Sequence, residues 1–222
     1  MRWRITAGAA DRHLRADWRE AEYCAIDVET TGLDLDTDSV VSVGSVPIRA
    51  GRVIYREHYY SLIRPASPVS VAAMRVHYLR PADLAGAPPA GEVARQVADR
   101  LAGRIVVAHA AWIERAFLGP LLRQAGARFG AKVIDTAALA RALGYAAGGR
   151  DGHEPSLELL ARQLSLPVYA PHHALGDALT TAAVFLALAV KAEEPARKTG
   201  SHPVSNPVSA RSLVALSAKY AY

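Results

Sequence analysis

The hydrophobic positions near the start of the chain predict three consecutive strands. The apolar run at residues 23–28 is short and ends in acids, as expected for a central strand. Residues 39–49 and 53–63 are rich in β-branched and aromatic residues, which favour strands. Between these two runs, Ala50 and Gly51 fit a tight hairpin turn. The domain is therefore predicted to open with three strands.

The chain that follows alternates between helical and strand patterns. Five prolines between positions 65 and 89 predict a loop-rich stretch around residues 69–79. The periodicity then predicts two short strands, at residues 104–108 and 131–134, and five helices, at residues 91–101, 113–122, 135–143, 156–164 and 174–190. Pro120 is expected to break or restart the second of these helices. Strands followed by alternating helices and strands predict an α/β domain with a mixed sheet.

The two ends of the chain differ in composition from the middle. Five arginines lie within the first 19 positions, so residues 1–20 are predicted to be a basic N-terminal extension, helical from residue 10. Residues 21–191 form the predicted domain. From residue 192 the composition turns to Pro, Ser, Lys and Glu, which predicts a flexible C-terminal tail over residues 192–222, with a short helix at residues 212–222.

Composition and charge narrow the class of protein. The net charge of +5 and the pI near 9.5 suit a polyanionic partner. The single cysteine, Cys24, excludes an internal disulfide and a multi-cysteine zinc site, and its apolar neighbours favour a buried side chain. No apolar run reaches the ~20 residues of a membrane helix, and none precedes Asp11 as a secretory signal would. A soluble, cytoplasmic protein is expected.

Three separated sets of polar residues carry the candidate chemistry. Asp27 and Glu29 are two apart on a strand, so both carboxylates project from one face. Such close like charges are costly unless a cation lies between them. Glu114 begins a predicted helix, and His172 precedes another that holds Asp177 about one turn inside. Each set alone also fits an ordinary strand end, helix-dipole partner or cap; their order along the chain is distinctive.

In this order the three sets resemble the motifs of the DEDDh 3′–5′ exonucleases, the group of ribonuclease T and the proofreading epsilon subunit of bacterial DNA polymerase III. Residues 27–33, Asp-Val-Glu-Thr-Thr-Gly-Leu, are similar to the first motif, and residues 107–118 to the second. Residues 172–177, with the histidine five positions before the aspartate, are similar to the third. The similarity spans residues 23–190 and implies a ribonuclease H-like mixed β-sheet flanked by helices.

Two departures from the family pattern fall in the second motif. Glu114 stands where the family usually has Asp, and its extra methylene lets its oxygens reach farther but fixes them less tightly. Ala110 replaces the asparagine that commonly follows the motif's histidine. In addition, Ile113 replaces a frequent aromatic residue, with Trp112 one position earlier. These changes bear on the expected rate and substrate affinity more than on the family assignment.

The resemblance also implies a ligand set for two divalent ions. The all-oxygen ligands favour Mg²⁺ or Mn²⁺ over zinc, and two such ions suit phosphodiester hydrolysis. By resemblance, Asp27, Glu29 and Asp177 would hold the ion that carries the attacking water. Asp27 would bridge to the second ion, on which Glu114 would act through water. Asp135 starts a predicted helix and is expected to cap it rather than bind metal.

The resemblance implies that His172 is the general base. An imidazole with a pKa near ~6.5 suits proton transfer at neutral pH. His173 is the competing candidate, and the spacing to Asp177 favours His172. Four further residues are expected to contact the substrate: Thr30 and Leu33 at the terminal nucleotide, and His77 and His109 along the groove.

The expected function is a metal-dependent 3′–5′ exonuclease that releases nucleoside monophosphates from single-stranded DNA, in proofreading or repair. An RNA 3′-end trimming exoribonuclease is the alternative enzyme, because recognition of a 2′-hydroxyl depends on contacts that the sequence does not reveal. A catalytically weakened nucleic-acid or polymerase-binding module is the non-enzymatic alternative, supported only by Glu114. The expected partners are DNA or RNA 3′ ends and a DNA polymerase subunit, the latter contacted through Leu213, Val214 and Leu216, with no membrane involved.

Overall fold

A computed structural model describes residues 14–145, 156–193 and 208–221 of the protein. At the centre of these residues lies a six-stranded sheet. Its strands are β1 (Tyr23–Thr30), β2 (Val40–Arg49), β3 (Arg52–Val53), β4 (Tyr59–Leu62), β5 (Ile105–Ala108) and β6 (Val133–Asp135). They lie in the order β3-β2-β1-β5-β6, and β4 also pairs with β2.

The sheet is mixed, as predicted. β2 pairs antiparallel with β1, β3 and β4, whereas β5 runs parallel to both β1 and β6. Ala50 and Gly51 form the predicted hairpin turn, with φ values of 50° and 65°, as a type I′ turn requires at both central positions. The third predicted strand is interrupted, because a 3₁₀ turn at Tyr55–Glu57 lies between β3 and β4.

Helices cover both faces of this sheet. They are α1 (Val71–His77), α2 (Pro81–Leu84), α3 (Ala90–Leu101), α4 (Trp112–Arg123), α5 (Thr136–Ala142), α6 (Leu157–Gln163), α7 (Ala174–Lys191) and α8 (Ala210–Tyr220). Tyr23 and Ala25 of β1 pack in the cluster that contains α7, and Cys24 and Ile26 in the cluster of α3 and α4. Burial raises the pKa of Cys24 to about 11, which agrees with a structural role.

Two local predictions are wrong. The stretch around residues 69–79 contains α1, which begins at a cap where the Ser70 hydroxyl accepts the Ala73 N–H at 3.1 Å. Helix α4 continues through Pro120 without a break. Proline removes one helical hydrogen bond, but Leu118 and Leu122 on either side are fully buried in the core, and this packing stabilises the helix.

The described parts of the predicted extension and tail pack on the domain. Residues 14–20 are mostly turns rather than helix. Trp18 is 2% exposed. Its indole N–H donates to Glu193 at 3.0 Å, and its backbone N–H donates to the Val208 carbonyl at 3.0 Å. For residues 14–20, 192–193 and 208–221, the expectations of a basic extension over residues 1–20 and a flexible tail over residues 192–222 are therefore corrected. The remaining residues of both segments lie outside the described part of the chain.

Helix α8 lies along the edge strand β6. Leu213 is fully buried in the core, and the Ser217 hydroxyl accepts the Asp135 backbone N–H at 3.0 Å. A helix in this position covers the unpaired edge of a sheet. The prediction that Leu213 contacts a polymerase subunit is corrected as well, since this side chain is buried within the domain.

Helix α7 is the most apolar helix of the core. Its 18 residues have a mean hydropathy of 1.6, so it is long and apolar enough to cross a membrane by those two criteria. However, Ala178, Ala182 and Phe185 are fully buried within the protein, and Asp177 lies in its first turn. Packing in the core therefore explains the composition of α7.

Candidate active site

Three of the predicted acidic residues come together between β1 and α7. Asp27, Glu29 and Asp177 each offer a carboxylate oxygen, and these oxygens all lie within 4.8 Å of one another. Asp27 and Glu29 share the face of β1 that points toward α7, because alternate residues of a strand lie on one side. Asp177 lies in the first turn of α7. The three side chains are half-buried.

Glu114 faces the same site from α4. Its side chain is 2% exposed and lies in the first turn of that helix. Burial holds the pKa of Asp27 well above its ordinary value, and the charge of Glu114 is the next largest cause, ahead of those of Glu29 and Asp177. The fold therefore places the fourth predicted carboxylate within strong electrostatic reach of Asp27.

The crowding of carboxylates makes this a candidate divalent-cation site. Burial, followed by the charge of Asp177, raises the pKa of Glu29 to about 8. Burial also raises the pKa of Asp177 to about 6, although the backbone N–H of His172 acts in the opposite direction. Like charges resist ionisation together unless a cation lies among them. Carboxylate oxygens suit Mg²⁺ or Mn²⁺.

The two neighbouring histidines have different surroundings. His172 adopts a left-handed backbone with φ of 59°, and its N–H donates to the Asp177 carboxylate at 2.9 Å. Its ring is about half exposed, with Nε2 3.8 Å from a carboxylate oxygen of Glu158. The ring of His173 instead stacks on Tyr60, with centroids 4.3 Å apart. The rings of His172 and His173 thus contact different neighbours.

Gly44, which sequence reasoning missed, lets α7 approach the sheet. It pairs with Asp27 in the ladder between β1 and β2. A Cβ at this position would lie 2.2 Å from both the Ala174 carbonyl carbon and the Leu175 nitrogen. Only glycine at position 44 therefore allows the first turn of α7 to pack this close to β2. An isolated glycine inside an apolar strand was the available signal for such a close approach.

Gly176 allows a second close approach on the other side of that turn. A Cβ there would lie 2.4 Å from the carbonyl oxygens of Tyr169 and Ala170. The segment that carries His172 and Asp177 is thus held between β2 and the preceding loop. Neighbouring backbone restrains it from both sides.

Asp135 caps α5 and also supports the second motif. One carboxylate oxygen accepts the N–H groups of Ala137 at 2.9 Å and Ala138 at 3.2 Å. The other accepts the N–H of Ala111, immediately before α4, at 3.0 Å. The predicted capping role is confirmed, and the same side chain anchors the start of the helix that bears Glu114.

The predicted substrate contacts occupy unlike environments. Leu33 is 61% exposed in the loop after β1, whereas Thr30 is 7% exposed and donates its hydroxyl to the Gly32 carbonyl at 2.7 Å. His109 is half-buried, with Nδ1 2.8 Å from the Thr136 hydroxyl. Leu33 is thus the most accessible of these side chains.

His77 has a structural position. Its Nε2 lies 3.2 Å from the Thr30 carbonyl, and its Nδ1 accepts the Leu79 N–H at 3.0 Å. Since Nδ1 accepts, Nε2 carries the proton and donates. Burial lowers the pKa of His77, which favours this neutral form. In the structure this ring joins α1 to the end of β1, and its contact with substrate stays a prediction.

Comparisons with known proteins identify an exonuclease family. The family model described as Exonuclease (RNase_T) matches residues 24–185. A DNA polymerase III subunit epsilon-like protein from Rhodobacter capsulatus is 35% identical over 169 residues, which cover 75% of this chain and 23% of that protein. The DNA polymerase III subunit epsilon from Treponema pallidum is 30% identical over 157 residues, covering 70% of this chain and 71% of that protein.

A solved structure has the same fold. Exonuclease X in complex with 5′ overhanging duplex DNA superposes with a TM-score of 0.64 at 24% identity, over 88% of this chain and 99% of that one. The mixed sheet flanked by helices is the ribonuclease H-like arrangement that was predicted. With the family model matched over most of the chain, and the Treponema protein over more than two thirds of its length, this chain belongs to the exonuclease family that includes the epsilon subunits of DNA polymerase III.

Proposed function

We propose that this protein is a soluble, cytoplasmic, divalent-metal-dependent 3′–5′ exonuclease that releases nucleoside monophosphates from single-stranded DNA, in proofreading or repair. The observation that carries the proposal is the meeting of Asp27, Glu29 and Asp177 within 4.8 Å, with Glu114 buried beside Asp27. The family provides the reaction class. The polarity and the preference for DNA are parts of the proposal.

The carboxylates fit a pair of Mg²⁺ or Mn²⁺ ions. Their raised pKa values mean that the cluster resists full ionisation by itself, and a divalent cation relieves this resistance. Asp27, Glu29 and Asp177 would hold one ion, and Asp27 with Glu114 would serve the second. Such ions, when bound, stabilise the developing charge on phosphoryl oxygens and lower the pKa of water.

The protein's own residues would move the proton and orient the acids. We assign proton abstraction from the attacking water to the ring of His172, whose backbone N–H is bonded to Asp177 at 2.9 Å. The stacking of His173 on Tyr60 supports the choice between the two histidines, because it commits that ring to another contact. A carboxylate oxygen of Glu158 lies 3.8 Å from His172 Nε2, on the same ring.

Association with a DNA polymerase is a further part of the proposal, suggested by the relatives named as epsilon subunits. The surface involved would not include Leu213, which is buried. RNA trimming remains the alternative reaction of the same site. The weakened binding module has less support, since Glu114 stays beside Asp27.

End-labelled substrates test the reaction directly. We expect 5′-labelled single-stranded DNA to shorten from its 3′ end with Mg²⁺ or Mn²⁺ and to stay intact with chelator, and RNA and duplex DNA to be cut more slowly. Asp27→Asn should abolish hydrolysis, and His172→Ala should reduce it by about 10²- to 10⁴-fold while DNA binding persists. Asp36→Asn, at an exposed acid outside the cluster, is the control. Release from the 5′ end, or an active Asp27→Asn variant, would contradict the proposal.

A further inference from the structure

Tyr78 has an unusual backbone conformation for a bulky residue. It ends α1 with φ of 62° and ψ of 5°, in the left-handed region. Helices often end this way, but normally with glycine, because a Cβ makes the conformation costly. The side chain is also 73% exposed, the largest exposed fraction among the large hydrophobic residues described. Tyr78 is therefore both strained and displayed to solvent.

Within the described part of the chain, no hydrogen bond or ring stacking of the Tyr78 side chain offsets this strain. Its hydroxyl has no hydrogen-bond partner there, and its ring has no stacking partner. Strained residues cluster at active sites and ligand contacts, so this one makes Tyr78 a candidate for contact with a ligand. Glycine would satisfy the same turn with less strain, so the turn itself does not require the tyrosine ring.

The neighbours of Tyr78 are bonded to the end of β1, the strand that carries Asp27 and Glu29. On one side, His77 donates to the Thr30 carbonyl at 3.2 Å, and Thr30 directly follows Glu29. On the other side, the Leu79 N–H donates back to His77 at 3.0 Å. The start of α1 is also joined to the residue that follows β1, since the Ser70 N–H donates to the Thr31 carbonyl at 2.9 Å. Tyr78 is thus fixed to the end of the strand that carries the catalytic acids.

We propose that Tyr78 is a stacking platform for an unpaired base of the nucleic-acid strand whose 3′ end enters the carboxylate site. This proposal rests on the proposed function. An exposed aromatic ring stacks on any base, whatever its identity. In a duplex the bases are already stacked on their neighbours, so the platform favours single strands. The net charge of +5 provides a complementary field for that polyanion.

The Tyr78→Gly variant separates strain from function. We expect its melting temperature to rise, because glycine relieves the left-handed backbone. We expect its Kd for a 5′-fluorescein-labelled oligothymidylate, measured by anisotropy in Ca²⁺, to increase about tenfold or more. KM in Mg²⁺ should increase similarly with little change in kcat. Tyr78→Phe and Tyr78→Trp keep the ring and should bind as the unmodified protein does.

Ala50→Gly is the matched control. Ala50 has φ of 50° in an exposed hairpin turn, about 26 Å along β2 from Ser42, the partner of Glu29. It should raise the melting temperature without changing Kd. Unchanged Kd in Tyr78→Gly, or equal weakening in Ala50→Gly, would overturn the platform. If the unmodified protein neither binds nor cuts the oligonucleotide, it is the proposed function that fails.

Discussion

At the scale of single residues, Glu114 places its carboxyl group beside Asp27 despite its longer side chain. It is 2% exposed and contributes more than Glu29 or Asp177 to the raised pKa of Asp27. The start of its helix is anchored by the Ala111 N–H on Asp135 at 3.0 Å. This bond fixes the backbone from which the longer side chain extends.

Ala110 is a second unusual residue of the same motif. It lies between β5 and α4 with φ of 53°, in the left-handed region. Any residue with a Cβ is strained there, but Asn adopts this conformation more readily because its short polar side chain bonds locally. The asparagine common in the family would suit this backbone, so Ala110 is a site of stored strain.

We expect Ala110→Asn to raise the free energy of unfolding by about 1 kcal/mol, because it relieves left-handed strain. Urea denaturation measures the change. Ala102→Asn is the control, since Ala102 is exposed and has φ of −58°, so no strain is relieved there. If the Ala110 variant is no more stable than the Ala102 variant, backbone strain at this position is not significant.

At the scale of elements, the placement of α7 on β2 determines the site. Gly44 pairs with Asp27 on one side and with Tyr60 on the other. The first turn of α7, which carries Asp177, rests directly on it. The distance between the acids of β1 and the acid of α7 therefore depends on a residue that has no side chain.

We expect Gly44→Ala to reduce kcat by about 100-fold, because a shift of about 1 Å in the catalytic groups is enough for such a loss. The overpacked contact should also lower the free energy of unfolding by about 1–3 kcal/mol. Steady-state kinetics and urea denaturation measure the two effects.

Gly86→Ala is the matched control for Gly44→Ala. A Cβ on Gly86 would meet nothing within 4 Å, so activity and stability should be retained. Normal kcat in Gly44→Ala would mean that α7 can move away from β2 without disturbing the acids.

At the scale of the whole molecule, the metal-free acidic cluster opposes folding at neutral pH. Glu29 has a pKa of about 8 in the folded protein against an ordinary 4.5, and Asp177 about 6 against 3.8. At a pH between the ordinary pKa and the folded pKa of a group, that group is protonated more often in the folded state than in the unfolded state. Stability must therefore decrease as pH rises through this window.

We expect the melting temperature in chelator to fall steadily from pH 5 to pH 8. Each kcal/mol lost from the free energy of unfolding lowers the melting temperature by about 2–4 °C. Glu29→Gln should flatten the decline, because Glu29 has a higher pKa than Asp177 in the folded protein. Mg²⁺ should restore the melting temperature at pH 8 by binding the ionised cluster. Scanning calorimetry measures all three effects, and a melting temperature that rises toward pH 8 in chelator would contradict this account.

The sequence by itself determined the identity of the acidic residues and most of the secondary structure around them. The apolar run that ends at Asp27 and Glu29 predicted a central strand, and the period of two placed both acids on one face. The sequence also predicted the turn at Ala50 and Gly51 and the long helix that contains Asp177. Each of these features depends only on the pattern of residues within one short stretch of the chain.

Only the tertiary structure decided which residues meet and how closely. Contacts distant in sequence, such as Trp18 with Glu193 and Ser217 with Asp135, attach the two ends of the described chain to the domain. Burial on both sides holds α4 together through Pro120. The contact of Gly44 with α7 and the strained display of Tyr78 also arise only after folding. The physical reason is that packing energies depend on distant neighbours, which local propensity does not encode.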